Sequence, residues 1–319
     1  MNVSLSVIPQ FTLTEQERSL LPTETDVEFY AEHGWYLSKQ LLTDGEVDEL
    51  VAASERYYAG ERHRRLPARP PKLAYWDPSQ GDVQRHNDYV HYEHDELARL
   101  LRKPLIGAVA AVLARAEEIR VFQSTLIYKP PIDAEPTNIV PWHFDKHYWS
   151  PSSSDKMLTA FIPFHDCDEE MGTITMISGS HRWRETGRDD SMTRHFAERE
   201  YSDLERALAD NAAYNKAEVI KVPMIIPKGH MSFHHCRTYH GSGANRSPRP
   251  RRAVSFHLQD GENAYRPFTL STGAILEYNH DVLVRRLPDG RPDYSDPDFC
   301  PVLWRNPTRP ADGQPLQEA

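Results

Sequence analysis

Between Val121 and Leu258 the chain is cut into seven short apolar runs, and this segmentation limits the fold more than any other feature. The runs span 121–128, 139–144, 157–164, 173–177, 218–224, 231–235 and 252–258. Such runs, bounded by turn residues, read as strands. Gly172, Gly179, Gly229 and the stretch 241–250 supply turns between several of them, and 202–213 reads as an inserted helix. Seven or eight short strands after a helical part predict two packed sheets: a double-stranded β-helix, or jelly roll, of the cupin type.

The first third has a different texture. Thr14-x-x-Glu17 and Thr43-x-x-Glu46 both fit a capping box, in which each side chain bonds the other residue's backbone N–H. After the second box, Val47, Leu50, Val51, Ser54 and Tyr57 fall at helical spacing. Residues 26–33 predict a shorter helix stopped at Gly34, and 93–118 predict helix broken at Pro104. The expectation is a mainly β protein with a helical flank, its N-terminal helices packed on one sheet. At 319 residues two domains are conceivable, but β barrels and sandwiches reach this length as one. A single domain over 1–319 is expected: 1–120 mainly helical, 121–260 the jelly-roll core, 261–319 an extension with a frayed polar tail from Asn306.

Composition excludes several classes. The net charge of −10 argues against nucleic acid as a partner. No apolar run approaches the roughly 18 residues of a membrane helix, and MNVSLSVIPQF lacks the basic start of a secretory leader. Three cysteines, Cys167, Cys236 and Cys300, are odd in number and form no C-x-x-C, which fits free thiols in a reducing cytoplasm.

The chemistry lies in the histidines, of which there are 16. Two H-x-D tripeptides occur, His86-Asn87-Asp88 and His143-Phe144-Asp145. The first sits in a polar stretch without a strand pattern. The second ends the apolar run Ile139-Val140-Pro141-Trp142, and on a strand residues i and i+2 share a face. A third ligand would complete a 2-His-1-carboxylate set, which holds Fe(II) and leaves positions open. His230, His234, His235 and His240 are the candidates. A chelating 2-oxo acid such as 2-oxoglutarate needs a fixed cation for its far carboxylate, and guanidinium suits that pairing. His240 with Arg251 and His235 with Arg246 have the same separation, but Arg246 falls inside the turn stretch, so His240 and Arg251 are preferred. Arg252 stays open in the arginine's role, since adjacent strand residues point opposite ways.

Four stretches now carry a resemblance: IYKPP (127–131), HFDKHYW (143–149), MGTITMISGSHRW (171–183) and HGSGANRSPRPRRAVSFHL (240–258). In order and spacing the chain resembles the phytanoyl-CoA dioxygenase family of non-haem Fe(II)/2-oxoglutarate oxygenases. The resemblance covers the β half and fits the helical part only loosely. It implies that His143, Asp145 and His240 bind iron and that Arg251 binds the cosubstrate's C5 carboxylate. Lys129 and Ser242 match residues beside the cosubstrate, and Gln123 and Thr159 are further candidate contacts. Trp142, Tyr148 and Trp149 are candidates for an aromatic substrate wall. Related halogenases have Ala or Gly in place of the carboxylate, so Asp145 implies hydroxylation or another oxidation of an unactivated C–H bond, consuming O2 and 2-oxoglutarate and releasing succinate and CO2.

The implied substrate is a small molecule. High Arg, Pro and Ala usage fits a GC-rich bacterial source, hence a biosynthetic tailoring role. The basic, proline-rich segment 61–72 (ERHRRLPARPPK) reads as a solvated loop; if it borders the pocket mouth, a CoA- or carrier-linked substrate gains weight. Residues 185–211 are a candidate mobile cover. The competing reading is a jelly-roll metal-binding protein that oxidises nothing, or an oxygenase that needs no 2-oxoglutarate.

Overall fold

The computed structural model describes residues 11–131, 138–184 and 201–306. Its helical flank is α1 (Glu15–Ser19), α2 (Glu24–His33), α3 (Asp44–Tyr58), α4 (Val90–Glu93), α5 (Asp95–Leu101) and α6 (Pro104–Ala114), with strands β1 (Trp35–Leu37) and β2 (Arg85–Asp88) interleaved. Both expected capping boxes form, and Thr23 with Asp26 makes a third at the start of α2. Gly34 ends α2 at φ 77°. Pro104 opens α6, the helix position that tolerates it best. α6 stops at Ala114, and Glu118, expected to be helical, begins a strand instead. Arg115 makes the break by taking φ 48°.

The β half comprises β3 (Glu118–Lys129), β4 (Val140–His143), β5 (Leu158–Pro163), β6 (Ile174–Ile177), β7 (Lys221–Pro223), β8 (Ser232–His235), β9 (His240–Ser242), β10 (Arg251–Asp260) and β11 (Val302–Arg305). Helices α7 (Asp145–Tyr148), α8 (Tyr201–Tyr214) and α9 (Asn279–Leu283) lie between them. The larger antiparallel sheet runs β1-β8-β5-β10-β3-β11, with β2 also on β3; the smaller runs β4-β9-β6-β7. This is the jelly roll. Four of its strands were not expected: β9, most of which lies in the stretch read as a turn, and three more. β1 and β11 are short, and β2 is the polar stretch holding the first H-x-D.

The larger sheet divides its residues by parity. Leu158, Ala160 and Ile162 of β5 and Val254, Phe256 and Leu258 of β10 face the helices. There they meet Val47, Leu50 and Tyr57 of α3 and Leu105, Ile106 and Val109 of α6, all but wholly buried. Burial of each large apolar side chain contributes about 1.5–3 kcal/mol, so this layer anchors the sheet. The odd-numbered residues turn the other way. Gln123, Thr125 and Ile127, Thr159 and Phe161, and Arg251, Ser255 and His257 line the cavity between the sheets. Register aligns them in rungs: Lys129 opposite Arg251, Thr125 opposite Ser255, and His257 between Gln123 and Thr159.

Candidate metal centre and its cavity

His143, Asp145 and His240 converge at the centre of this cavity, their ligand atoms all within 4.8 Å of one another. His143 ends β4 and His240 opens β9, directly opposite in register. Asp145 arrives differently from the expectation of a shared strand face. The chain leaves β4 at Phe144 and turns into α7, which begins at Asp145. The turn, not strand alternation, brings the carboxylate between the imidazoles. Asp145 Oδ1 lies 3.9 Å from His143 Nε2 and 3.7 Å from His240 Nε2.

The donor set is prepared for a cation. His143 Nδ1 lies 2.8 Å from the Pro141 carbonyl, and His240 Nδ1 lies 2.9 Å from the Thr238 carbonyl. A carbonyl only accepts, so each Nδ1 carries the proton and each Nε2 presents a lone pair to the centre. Burial, with the like-charged neighbours His143 and His234, pushes His240 well below the usual histidine range; burial also lowers His143. Both imidazoles are therefore neutral at physiological pH. Burial opposes ionisation of Asp145, but His240, His234 and His257 overcome it and hold the carboxyl well below the usual range. Two neutral imidazoles and one carboxylate, with open cavity in front, fit a divalent iron.

A second His/Glu cluster gives the contrast. Glu61, His63 and His94 also bring three ligand atoms within 4.8 Å. Here His63 Nδ1 accepts the Asp95 N–H and His94 Nδ1 accepts the Leu97 N–H. Their Nε2 atoms then carry the protons and face Glu61 Oε1, each at 3.4 Å. In that cluster both Nδ1 lone pairs are taken by backbone N–H groups and the protonated Nε2 atoms face the carboxylate, the wrong way for a metal.

One end of the cavity is cationic. Arg251 is buried, lines the wall, and donates to the Gly172 carbonyl, while its Nε has no hydrogen-bond partner. Arg252 points to the outer face and pairs with Glu55 at 3.3 Å. Lys129 is wholly buried and spends its protons on Ser242 Oγ (2.7 Å) and the carbonyls of Gly243 (2.6 Å) and Ser242 (3.4 Å). It thus stands behind the wall, bracing β9. Ser242 Oγ accepts from Lys129, so its own proton is free to donate into the cavity. Burial lowers Arg251 to about 10, and burial with the Arg251 charge lowers Lys129. Among the described residues neither cation meets a carboxylate. Two buried, uncompensated charges cost several kcal/mol each, which a bound carboxylate would offset.

The other expected residues separate. Thr159 lines the cavity, but its hydroxyl is taken by Asp145 and His257. Gln123 accepts from the Tyr278 hydroxyl, which also accepts from Trp149 Nε1 at 3.2 Å. Tyr148 and Trp149 are on the cavity wall. Trp142 is not: it packs against Ile177, Trp183 and Leu208 and bonds Glu205. Of the candidate cover, 185–200 lies outside the described residues. The following helix, α8, packs Leu208 and Ala212 onto Trp142 and contributes no described wall residue.

Several wall residues were missed. Lys72, His86, Asp88 and the segment Leu276–Asn279 also line the cavity. The H-x-D of β2 was a visible signal, passed over because its strand is polar. Nothing in 276–279 marks it from sequence.

A jelly roll with a 2-His-1-carboxylate centre and a buried arginine in its cavity defines the class of 2-oxoglutarate-dependent non-haem iron oxygenases. The phytanoyl-CoA dioxygenase (PhyH) family profile matches residues 30–253, and the chain belongs to that family. It is 24% identical over 266 residues to peroxisomal phytanoyl-CoA dioxygenase of Rattus norvegicus, covering 80% of this chain and 72% of that one. It is 27% identical over 259 residues to ectoine dioxygenase of Bordetella parapertussis, covering 76% of each. Among solved structures it resembles the epimerase SnoN in complex with Fe3+, alpha ketoglutarate and nogalamycin RO, at 25% identity and a TM-score of 0.63, covering 88% of this chain and 98% of the other.

Proposed function

We propose that this chain is a 2-oxoglutarate-dependent hydroxylase of a small molecule in bacterial secondary metabolism. The observation that carries the reading is the buried Arg251, without a carboxylate partner among the described residues, in the same cavity as the His143–Asp145–His240 centre. In this reading the three donors hold Fe(II), and Arg251 with the Ser242 hydroxyl takes the far carboxylate of 2-oxoglutarate. Bound together, iron and 2-oxoglutarate supply O2 activation for oxidising an unactivated C–H bond, with succinate and CO2 as coproducts. The protein's part is placement. Arg251 fixes the cosubstrate's orientation, Lys129 holds Ser242 as a donor, and Tyr148 and Trp149 help enclose the reacting carbon and exclude water. Relatives named for ectoine and for nogalamycin biosynthesis support a tailoring role.

The test is an anaerobic titration of the protein with Fe(II) and 2-oxoglutarate, read by the visible charge-transfer band of the chelate. A band that Arg251→Leu weakens supports the reading. Iron binding without a band, in wild-type protein, favours the 2-oxoglutarate-independent or non-catalytic alternatives.

A second reading concerns the substrate's handle. Lys72 is on the cavity wall, and Arg62, Arg65 and Arg69 line a separate cavity of about 410 Å3. This favours a substrate with an anionic carrier, such as a CoA thioester or a phosphopantetheinyl group. Succinate release with free acids but not with their thioesters would overturn it. Buried free thiols at Cys167, Cys236 and Cys300 support a cytoplasmic site of action. No helix among the described residues is long and apolar enough to cross a membrane.

A further inference from the structure

Asp145 is held by one oxygen and presents the other. Oδ1 faces His143 and His240, whereas Oδ2 accepts the Thr159 hydroxyl proton at 2.6 Å. Thr159 has one proton to give. Having given it to the carboxylate, its oxygen must accept from His257 Nδ1, 2.8 Å away. His257 lines the cavity, and Trp149 meets its ring edge-on at 4.8 Å between centroids. Behind the carboxylate, wholly buried His234 brings Nε2 within 3.3 Å of the same Oδ2. β8, β5 and β10 are adjacent strands, and His234 pairs with Thr159, which pairs with His257. Three neighbouring strands thus converge on one oxygen.

We propose that Thr159 and His257 are positioning residues that make Asp145 a one-oxygen ligand and so keep coordination positions free for cosubstrate and O2. The proposal rests on the iron-binding reading of the triad. A carboxylate released from Thr159 can rotate, spread both oxygens over a cation and fill a position that the reaction needs. Outer partners of metal ligands typically change metal affinity by about 10–100-fold.

The experiment uses Co(II) as the probe, because its visible absorption falls as coordination number rises and needs no turnover. Thr159→Val keeps the shape and loses the hydroxyl; Thr159→Ser keeps the hydroxyl. The expected result is a Co(II) spectrum of lower intensity in Thr159→Val and at least a tenfold change in its dissociation constant, with Thr159→Ser restoring both to within about twofold. Wild-type spectrum and affinity in Thr159→Val overturn the relay while leaving the metal centre standing. Failure of the wild-type protein to bind Co(II) or Fe(II) overturns the metal centre and the relay together. Should Thr159→Val not fold, His257→Asn interrogates the relay from its other end, and an unchanged Co(II) spectrum there overturns it equally.

Discussion

At the scale of single residues, the tautomers of His143 and His240 are set locally. In both, Nδ1 is tied to the carbonyl two residues earlier, so the chain's own bend prepares the Nε2 lone pair. Arg251 is the opposite case, a buried charge with no carboxylate beside it among the described residues. Arg251→Leu should therefore act with two signs. Removing an uncompensated buried charge should leave the protein without cosubstrate as stable or more so. Loss of the anion's partner should raise the 2-oxoglutarate KM more than a hundredfold, as about 3 kcal/mol implies. Thermal melting with and without 2-oxoglutarate checks both. A fall in the Tm of the cosubstrate-free protein would contradict the first, and an unchanged ligand-induced Tm shift the second.

At the scale of elements, two substitutions separate scaffold from site. Leu50 is wholly buried where α3 meets the larger sheet. Leu50→Ala should cost about 2–5 kcal/mol in denaturant unfolding, with metal affinity unchanged. Gly172 sits at φ +65°, and a Cβ there would lie 2.5 Å from the Gly243 carbonyl oxygen. Its own carbonyl receives Arg251. Gly172→Ala should therefore displace the arginine's support as well as strain the turn, and raise the 2-oxoglutarate KM without changing Co(II) affinity. An unchanged KM would show the carbonyl to be dispensable.

Element type was legible where periodicity was strong. The α3 stripe and the β3, β5 and β10 runs are long enough for packing to imprint a pattern. β2 was illegible because all four of its residues are polar and show no apolar alternation, and β11 because a four-residue edge strand carries too few alternations. Within the site, the H-x-D tripeptide pointed to His143 and Asp145 by residue type, whereas His240 stood out from its neighbouring histidines only through its distance to Arg251 and the family resemblance. The sequence could not reveal that Thr159 and Lys129 spend their polar atoms on Asp145 and on β9, since such commitments depend on cross-strand register.

At the scale of the whole molecule, acid lability follows from buried neutral histidines. Burial holds His91 and His257 at about 4 and His235 and His280 at about 3. The unfolded chain takes protons at these residues near pH 6.5. Between that pH and 3–4 the unfolded state binds protons that the folded state refuses, so stability falls as pH falls through this window. Each histidine forfeits about 3 kcal/mol or more by pH 4, and four together rival a net stability of about 5–15 kcal/mol. The Tm should be flat above pH 7, decline below about 6.5 and vanish before pH 4. Circular dichroism melts across pH 4–8 measure this, and a Tm constant to pH 4.5 would refute it.

The outer edge of β3 is shared: β11 pairs with its first residues and β2 with its last. Part of the cavity wall comes from flanking segments, Lys72, His86 and Asp88 from before β3 and Leu276–Asn279 from after β10. The ligand strands β4 and β9 and the arginine strand β10 take no part in that construction. The metal-centre donors and these wall residues are thus written in different stretches of the gene, so the wall can change while the donor set stays fixed. Substitutions in the two flanks can reshape the cavity without touching His143, Asp145 or His240.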